Sequence, residues 1–391
     1  MKAYERISYL QKNLVEQDFS GALIFYSRDV FYYTGTAQPS YLVILPDDYR
    51  LFVRSGYNFA LHDVFIDKEK VEEERRLETI FNTMFHSINN GTRRIGTELD
   101  VLTIEQFKTF SKIFHNYEFV NITPIILEQR KTKSPSEIEK IRKACETIHQ
   151  GHETVISVLT EGLTELELAA SVENAHRLAG HEGIFFIRQP DFFMSRGPLS
   201  SGENLFKISG VVYTITGVGL SPSVPAGPSR KRIARGDLVM VDIPVMVDGY
   251  HADQTRTYCL GKVSERVLSM YIDLKGIADH LIDNIKTGMK CSDIYRMAVE
   301  KAKELGRKDH FQNFGGGKKS RIIGHGIGLE LNEPPIPSEY DHSTVEDGYV
   351  IALDMHMMDQ SAGVVKLEDI ILVTRTGNEI LTISPRHLFE L

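Results

Sequence analysis

Short apolar runs alternate with helical spacings through the first third of the chain. GALIFY (Gly21–Tyr26), YLVILP (Tyr41–Pro46) and RLFVRS (Arg50–Ser55) have the length and side-chain types of strands, and PDDYR between the last two is turn chemistry. VLTIEQFKTFSKIF (Val101–Phe114) places Ile104, Phe107, Phe110 and Phe114 along one side of a helix. Strands alternating with helices predict a small α/β domain.

The pattern changes at EQRKTKSPSEIEKIRKA. The polar, basic RKTKS reads as a linker, and Ser134-Pro135-Ser136-Glu137 reads as a helix start. Ser134 caps, Pro135 suits the first helical position, and Glu137 closes a capping box. Ile138, Ile141, Cys145 and Ile148 form the apolar stripe that follows. TELE (Thr164–Glu167) opens a second helix with its own capping box, running through Leu168, Val172, Ala175 and Leu178. Two more helical stretches, Glu265–Ile285 and Ser292–Gly306, repeat the arrangement, and strand-like segments follow each pair. This predicts a second domain of two similar halves, each a helix pair with antiparallel strands. The boundary falls between domains at residues 1–130 and 131–391.

Composition narrows the class. The chain has 391 residues, 42% hydrophobic and 25% charged, as in soluble globular proteins. A net charge of −8 argues against a general nucleic-acid surface. Cys145, Cys259 and Cys291 lie far apart, without metal spacing, and read as reduced thiols. The opening MKAYERISYLQKNLVEQ reads as an amphipathic helix rather than a signal peptide, and no apolar run reaches the roughly 20 residues of a membrane span. These features predict a cytoplasmic protein with neither a nucleic-acid nor a membrane partner.

The candidate chemistry starts at VMVDIPVMVDGYHADQTRTY (Val239–Tyr258). Asp248-Gly249 is a favoured two-residue hairpin turn, so the numbers of cross-strand partners sum to 497. Asp242 then faces Thr255, Asp253 faces Pro244, and the two aspartates share one face as diagonal neighbours. Taken alone, the ribbon reads either as a solvated hairpin face or as a metal site, where a cation removes the cost of two like buried charges. Further groups bear on this choice. GHGIGLELNEPP (Gly324–Pro335) sets His325 between glycines, where backbones approach closely. The apolar YVIALDMHM (Tyr349–Met357) carries Asp354, and VVKLEDIILV (Val364–Val373) carries Glu368 and Asp369. Glu368 shares a face with Ile370 and Leu372, where an unpaired charge is costly. One imidazole and four carboxylates suit Mn, Fe, Co or Zn in a one- or two-metal hydrolytic site.

The order and spacing of these residues resemble the pita-bread metallopeptidase and creatinase family, which includes methionine aminopeptidase, aminopeptidase P, prolidase and creatinase. Asp242 and Asp253, eleven apart with DQTRT following, match its first two ligands; His325 in GHGIGLE matches its histidine, and Glu368 in EDIILVT its last glutamate. The resemblance spans nearly the whole chain. It implies an α+β, α/β protein: a creatinase-type amino-terminal α/β domain followed by a pseudo-symmetric pita-bread catalytic domain. It also implies one or two divalent metal ions at Asp242, Asp253, His325, Asp354 and Glu368, and a homodimer. The implied activity is that of an Xaa-Pro dipeptidase or aminopeptidase, with metal-activated water attacking the amide of a small peptide.

The chain departs from the family pattern in four places. Asp354 stands where the family has glutamate, one methylene shorter. The accessory histidines of the prolidase and aminopeptidase P branch are replaced near Pro225, at Arg321 and at Asn332. Asn332 retains an amide donor for an oxyanion, and Arg321 offers a bidentate anchor for an anion. His356, two residues from Asp354 on the same strand face, reads equally as a sixth ligand, a replacement acid or base, or a packed strand residue. His251, beside the turn, reads as solvated or secondary, and GGGKKS (Gly315–Ser320) as a flexible loop near the site entrance. These departures leave two other readings: a hydrolase or lyase acting on a small non-peptide carboxylate anchored by Arg321, and a non-catalytic binding module.

Overall fold

The computed structural model describes residues 3–85, 93–192, 195–209 and 214–391. The chain divides into two compact units, Met1–Arg130 and Lys131–Leu391. The first is a six-stranded mixed sheet in the order 71–73, 49–53, 40–44, 21–24, 94–97, 118–121. The two hairpin-linked strands, 40–44 and 49–53, run antiparallel, and 94–97 and 118–121 pair parallel across the helix Ile104–Ile113. Leu23, Val43, Phe52, Ile80, Ile95 and Phe114 fill one face of this sheet. The expected helix stripe divides: Phe110 and Phe114 are buried, while Ile104 and Phe107 are exposed. Thr103 caps this helix with Gln106, which leaves Ile104 at the first helical position, past the edge of the aromatic core.

RKTKS is not a solvated linker. The helix Thr123–Lys131 runs into it. Arg130 is buried against Asp29 at 2.9 Å within the first unit, and Lys133 against Glu333 at 2.8 Å within the second. Each end of the segment is thus anchored in its own unit by an ion pair, which its basic composition alone does not reveal.

The second unit repeats one plan. Helix Pro135–Val158 starts on the Ser134–Glu137 capping box and helix Glu165–Leu178 on the Thr164–Glu167 box, as the sequence predicts. A four-stranded sheet follows, in the order 389–390, 255–259, 238–242, 199–201. The helix pair Glu265–Asn284 and Cys291–Glu304 precedes a second four-stranded sheet, in the order 324–326, 350–359, 363–372, 379–380. Strand alternation assigns the faces of this second sheet. Ile351, Leu353, Met355 and Met357, with Val365, Leu367 and Ile371, pack under the helix pair against Leu274, Ile277 and Leu281. Asp354, His356, Lys366 and Glu368 occupy the alternate positions, and cross-strand pairing sets Asp354 opposite Glu368 and His356 opposite Lys366. Among the described residues no helix is long and apolar enough to cross a membrane.

Candidate metal centre

The hairpin has the expected register. Val247 pairs with Tyr250 and Val245 with Ala252 beyond the turn, and Asp242 with Thr255 beyond the break in the ribbon. Asp248 and Gly249 both hold positive φ, 51° and 79°, as a primed two-residue turn requires. His325 is delivered from the strand Gly324–Gly326. A Cβ at Gly324 would lie 2.2 Å from the Ala352 carbonyl oxygen, and one at Gly326 2.4 Å from that of Pro334, so only glycines let this strand lie so close. His325 Nδ1 faces the Gly326 carbonyl oxygen at 3.1 Å. With its proton on Nδ1, the ring presents the Nε2 lone pair to the carboxylates.

His325 Nε2 lies 3.9 Å from Asp253 Oδ2 and 3.7 Å from Glu368 Oε1, distances of ion pairing too long for hydrogen bonds. Asp253, His325 and Glu368 each offer a ligand atom, all within 4.8 Å of one another. Thr255 donates to Glu368 Oε2 at 2.8 Å and orients it. Asp253 Oδ1 and Glu368 Oε1 are buried and accept no hydrogen bond from a described residue. Buried carboxylate oxygens without donors are costly, and their arrangement fits a divalent cation with one imidazole and hard oxygen donors.

The electrostatics agree. Burial pushes Asp253 well above the usual carboxylate range, and the charges of Glu368 and Asp242 push the same way. Burial also raises Asp354 and Asp242, partly opposed by Lys366. Glu368 is held low despite burial because Lys366 and His325 stabilise its charge. Burial alone would keep His325 neutral, yet Glu368 and Asp354 raise it.

Residues 139–375 match metallopeptidase family M24, and residues 6–132 match the creatinase/prolidase N-terminal domain. The chain belongs to metallopeptidase family M24. It is a metal-dependent peptidase, a hydrolase that uses divalent metal ions. The Xaa-Pro dipeptidase of Pyrococcus furiosus is 29% identical over 393 residues, covering 98% of this chain and 99% of the relative. The solved prolidase from Pyrococcus furiosus superposes with a TM-score of 0.77 at 27% identity, covering 96% of this chain and all of that one (100%). An Xaa-Pro dipeptidase from Bacillus anthracis shares the fold at a TM-score of 0.84 and 22% identity over 100% of both chains.

Beside these candidate ligands lies an apolar pocket. Phe185, Ile187, Phe192, Ile322 and Leu331 form its walls, and Asp242, Asp253, His325 and Asp354 reach it together with Thr214 and Asn332. Arg321 is elsewhere. Its side chain is 58% exposed, paired with Glu339 at 2.9 Å and hydrogen-bonded to the Tyr340 hydroxyl, and it does not line this pocket. His356 is buried, with Nε2 3.1 Å from the Asn313 carbonyl oxygen and its ring stacked on Phe314 at 4.7 Å. Burial and the nearby Lys366 charge push His356 down to about 3, so the ring is neutral. His251 is fully buried rather than solvated: Nε2 accepts from the Phe186 amide at 3.0 Å and Nδ1 meets the Gly328 carbonyl oxygen at 2.9 Å. GGGKKS forms a closed turn, with Asn313 bridging to Lys319 and the Lys318 carbonyl accepting from the Phe314 amide.

Three further residues support the site. Lys366 Nζ contacts Asp242 Oδ2 at 2.5 Å, Asp354 Oδ1 at 3.1 Å and Glu368 Oε2 at 3.4 Å. Thr255, opposite Asp242, holds Glu368. Arg256 donates to the carbonyls of both Thr255 and Glu368, at 2.9 and 2.7 Å. The period-two spacing of Lys366 and Glu368 was the available signal for the first of these.

Proposed function

We propose that this peptidase hydrolyses Xaa-Pro bonds in small peptides, as a dipeptidase or aminopeptidase. In this reading the divalent centre is held among Asp242, Asp253, His325, Asp354 and Glu368, with Mn, Co, Zn or Fe as the candidate ions. The observation that carries it is the pair of donorless oxygens, Asp253 Oδ1 and Glu368 Oε1, beside His325, with Asp253 and His325 lining an apolar pocket. The similarity to Xaa-Pro dipeptidases across nearly the full chain length supports the choice of peptide.

A bound divalent ion supplies Lewis acidity, polarising the scissile carbonyl and making water a nucleophile near neutral pH. The chain's own residues do the rest. Asp354, on the pocket wall, takes the proton of the attacking water and returns it to the leaving nitrogen. Asn332 donates its amide N–H to the oxyanion. Phe185, Ile187, Phe192 and Leu331 exclude water and seat an apolar peptide side chain. The placement of His356 supports a packed strand residue that fixes the Asn313 loop, and the placement of Arg321 supports a surface role. We place the protein in the cytoplasm on its three free, buried cysteines, and as a homodimer, which light scattering tests.

The deciding experiment incubates the protein with a panel of Xaa-Pro dipeptides and Xaa-Pro-Yaa tripeptides under Mn²⁺, Co²⁺, Zn²⁺ or Fe²⁺, read by mass spectrometry. Hydrolysis by the parent and its loss in Asp253→Asn are expected. Metal binding with no cleavage of any X-Pro bond would reject the substrate assignment.

A further inference from the structure

Lys366 is the one ammonium among the described residues within 4 Å of these carboxylates. Its side chain is 1% exposed and its position is fixed from the backbone. Thr257 accepts from the Lys366 amide at 3.0 Å and donates to the Lys366 carbonyl at 2.7 Å, so the strand cannot slide to withdraw it. The ammonium donates to Asp242 Oδ2 and to Thr214 Oγ1, both at 2.5 Å, and turns its third proton toward Asp354 and Glu368. An ammonium has three donors and no acceptor, and this nest uses all three.

A second cation bridging Asp242 and Glu368 would need oxygen contacts of about 2.0–2.2 Å. It would compete for the same oxygens with the nitrogen that lies 2.5 Å from Asp242 Oδ2 and 3.4 Å from Glu368 Oε2. Charge points the same way. Four carboxylates against one ammonium and one dication leave a net charge of about −1, whereas a second dication would sit beside an ammonium in a buried site at about +1. The set Asp253, His325 and Glu368 lies to the other side, joined by His325, and keeps its donorless oxygens.

We propose that the Lys366 ammonium replaces one metal cation, so that the centre holds a single divalent ion at Asp253, His325 and Glu368, and Asp242 serves the ammonium instead. The inference rests on the metal-centre reading above and deepens it. Lys366 is a positioning residue: it fixes Asp242 and Asp354 without touching the metal.

The test is metal stoichiometry, independent of turnover. The full chain is stripped with chelator, saturated with Mn²⁺, freed of excess ion and assayed by plasma mass spectrometry and electron paramagnetic resonance. One Mn²⁺ per chain with the six-line signal of an isolated ion is expected. Lys366→Met, which keeps the stem and removes the charge, should bind two, with the broadened signal of a coupled pair, and Lys366→Arg should return to one. Where Lys366→Met fails to fold by circular dichroism, the stoichiometry and signal of the parent decide: one ion with the signal of an isolated Mn²⁺ supports the replacement, and two overturn it. Two ions in the parent, or an unchanged single ion in folded Lys366→Met, would overturn the replacement and leave the metal centre standing. No bound Mn²⁺, Co²⁺ or Zn²⁺ in the parent would overturn both.

Discussion

Arg256 and Asp369 meet at 2.7 Å with both side chains closed off from solvent, one strand position away from the candidate ligands Thr255 supports and Glu368 supplies. The guanidinium also donates to the carbonyl oxygens of Thr255, Glu368, Ser384 and Pro385. It therefore ties the hairpin that carries Asp242 and Asp253 to the strand that carries Glu368, although the two strands belong to different sheets. Removing it leaves four carbonyls without a donor, while Asp369 retains Arg386 at 2.6 Å and Thr382 at 2.7 Å. Arg256→Met is expected to cost on the order of 3 kcal/mol, since buried acceptors that lose their donor cost roughly 1–3 kcal/mol each before relaxation, and to weaken metal binding. Thermal unfolding and metal titration of the variant check this. Unchanged stability would show that the guanidinium is not the tie.

Asn332 and Arg321 stand where the resemblance places accessory histidines, yet only Asn332 lines the pocket. Arg321 is held on the surface by Glu339 and Tyr340. Asn332→Ala should lower kcat on an Xaa-Pro substrate by about 10²–10³-fold, the scale for losing an oxyanion donor, with metal content unchanged. Arg321→Ala should leave kcat and KM within about twofold. A sharp rise in KM for Arg321→Ala would instead restore the anionic-substrate reading.

The hairpin register, both capping boxes, the glycine-flanked His325 and the alternation of Asp354 and Glu368 were legible because each is a local rule. Turn type fixes register, short polar side chains fix helix starts, and a period of two fixes a strand's faces. What was not legible depends on distant contacts. RKTKS has the composition of a linker, but Asp29 and Glu333, remote in sequence, bury its cations. His251 sits beside an exposed turn, but the Gly328 and Phe186 segments cover it. Glu368 and Asp369 are adjacent and look alike, yet the first faces His325 and the second faces Arg256 and Arg386. Alternation predicts that they part; only the fold says what each meets.

Two buried histidines outside the site set an acid limit. Burial pushes His152 and His176 down to about 4, with the Arg256 charge adding at His152 and His181 at His176. His152 Nδ1 bonds the Tyr258 hydroxyl at 2.7 Å and His176 Nε2 the Ile148 carbonyl at 3.3 Å. A histidine depressed in the folded state takes up a proton more readily when unfolded. Its penalty is absent well above pH 6.5 and grows as pH falls from there toward 4, where it levels off. At pH 5 each should cost on the order of 2 kcal/mol relative to pH 8. Denaturant unfolding at the two pH values checks this, and His152→Gln should flatten the profile. Equal stability of the parent at pH 5 and pH 8 would reject it.

Metal removal should be felt as lost stability, because the carboxylates that repel one another are supplied by both sheets of the catalytic unit. Without the ion, Asp253 Oδ1 and Glu368 Oε1 have neither donor nor cation, and Lys366 offsets only part of the repulsion. An ion that binds only the folded state at 100–1,000 times its Kd contributes roughly 3–4 kcal/mol. Adding chelator should therefore lower the unfolding temperature of the catalytic unit by about 6–15 °C, and Mn²⁺ in excess of the chelator should restore it. Glu368→Gln removes the charge of a candidate ligand while keeping its shape, so its unfolding temperature should respond to chelator by less than a third as much. Calorimetry separates the outcomes: a parent that unfolds identically with Mn²⁺ and with chelator has no ion bridging these strands, whatever its sequence resembles.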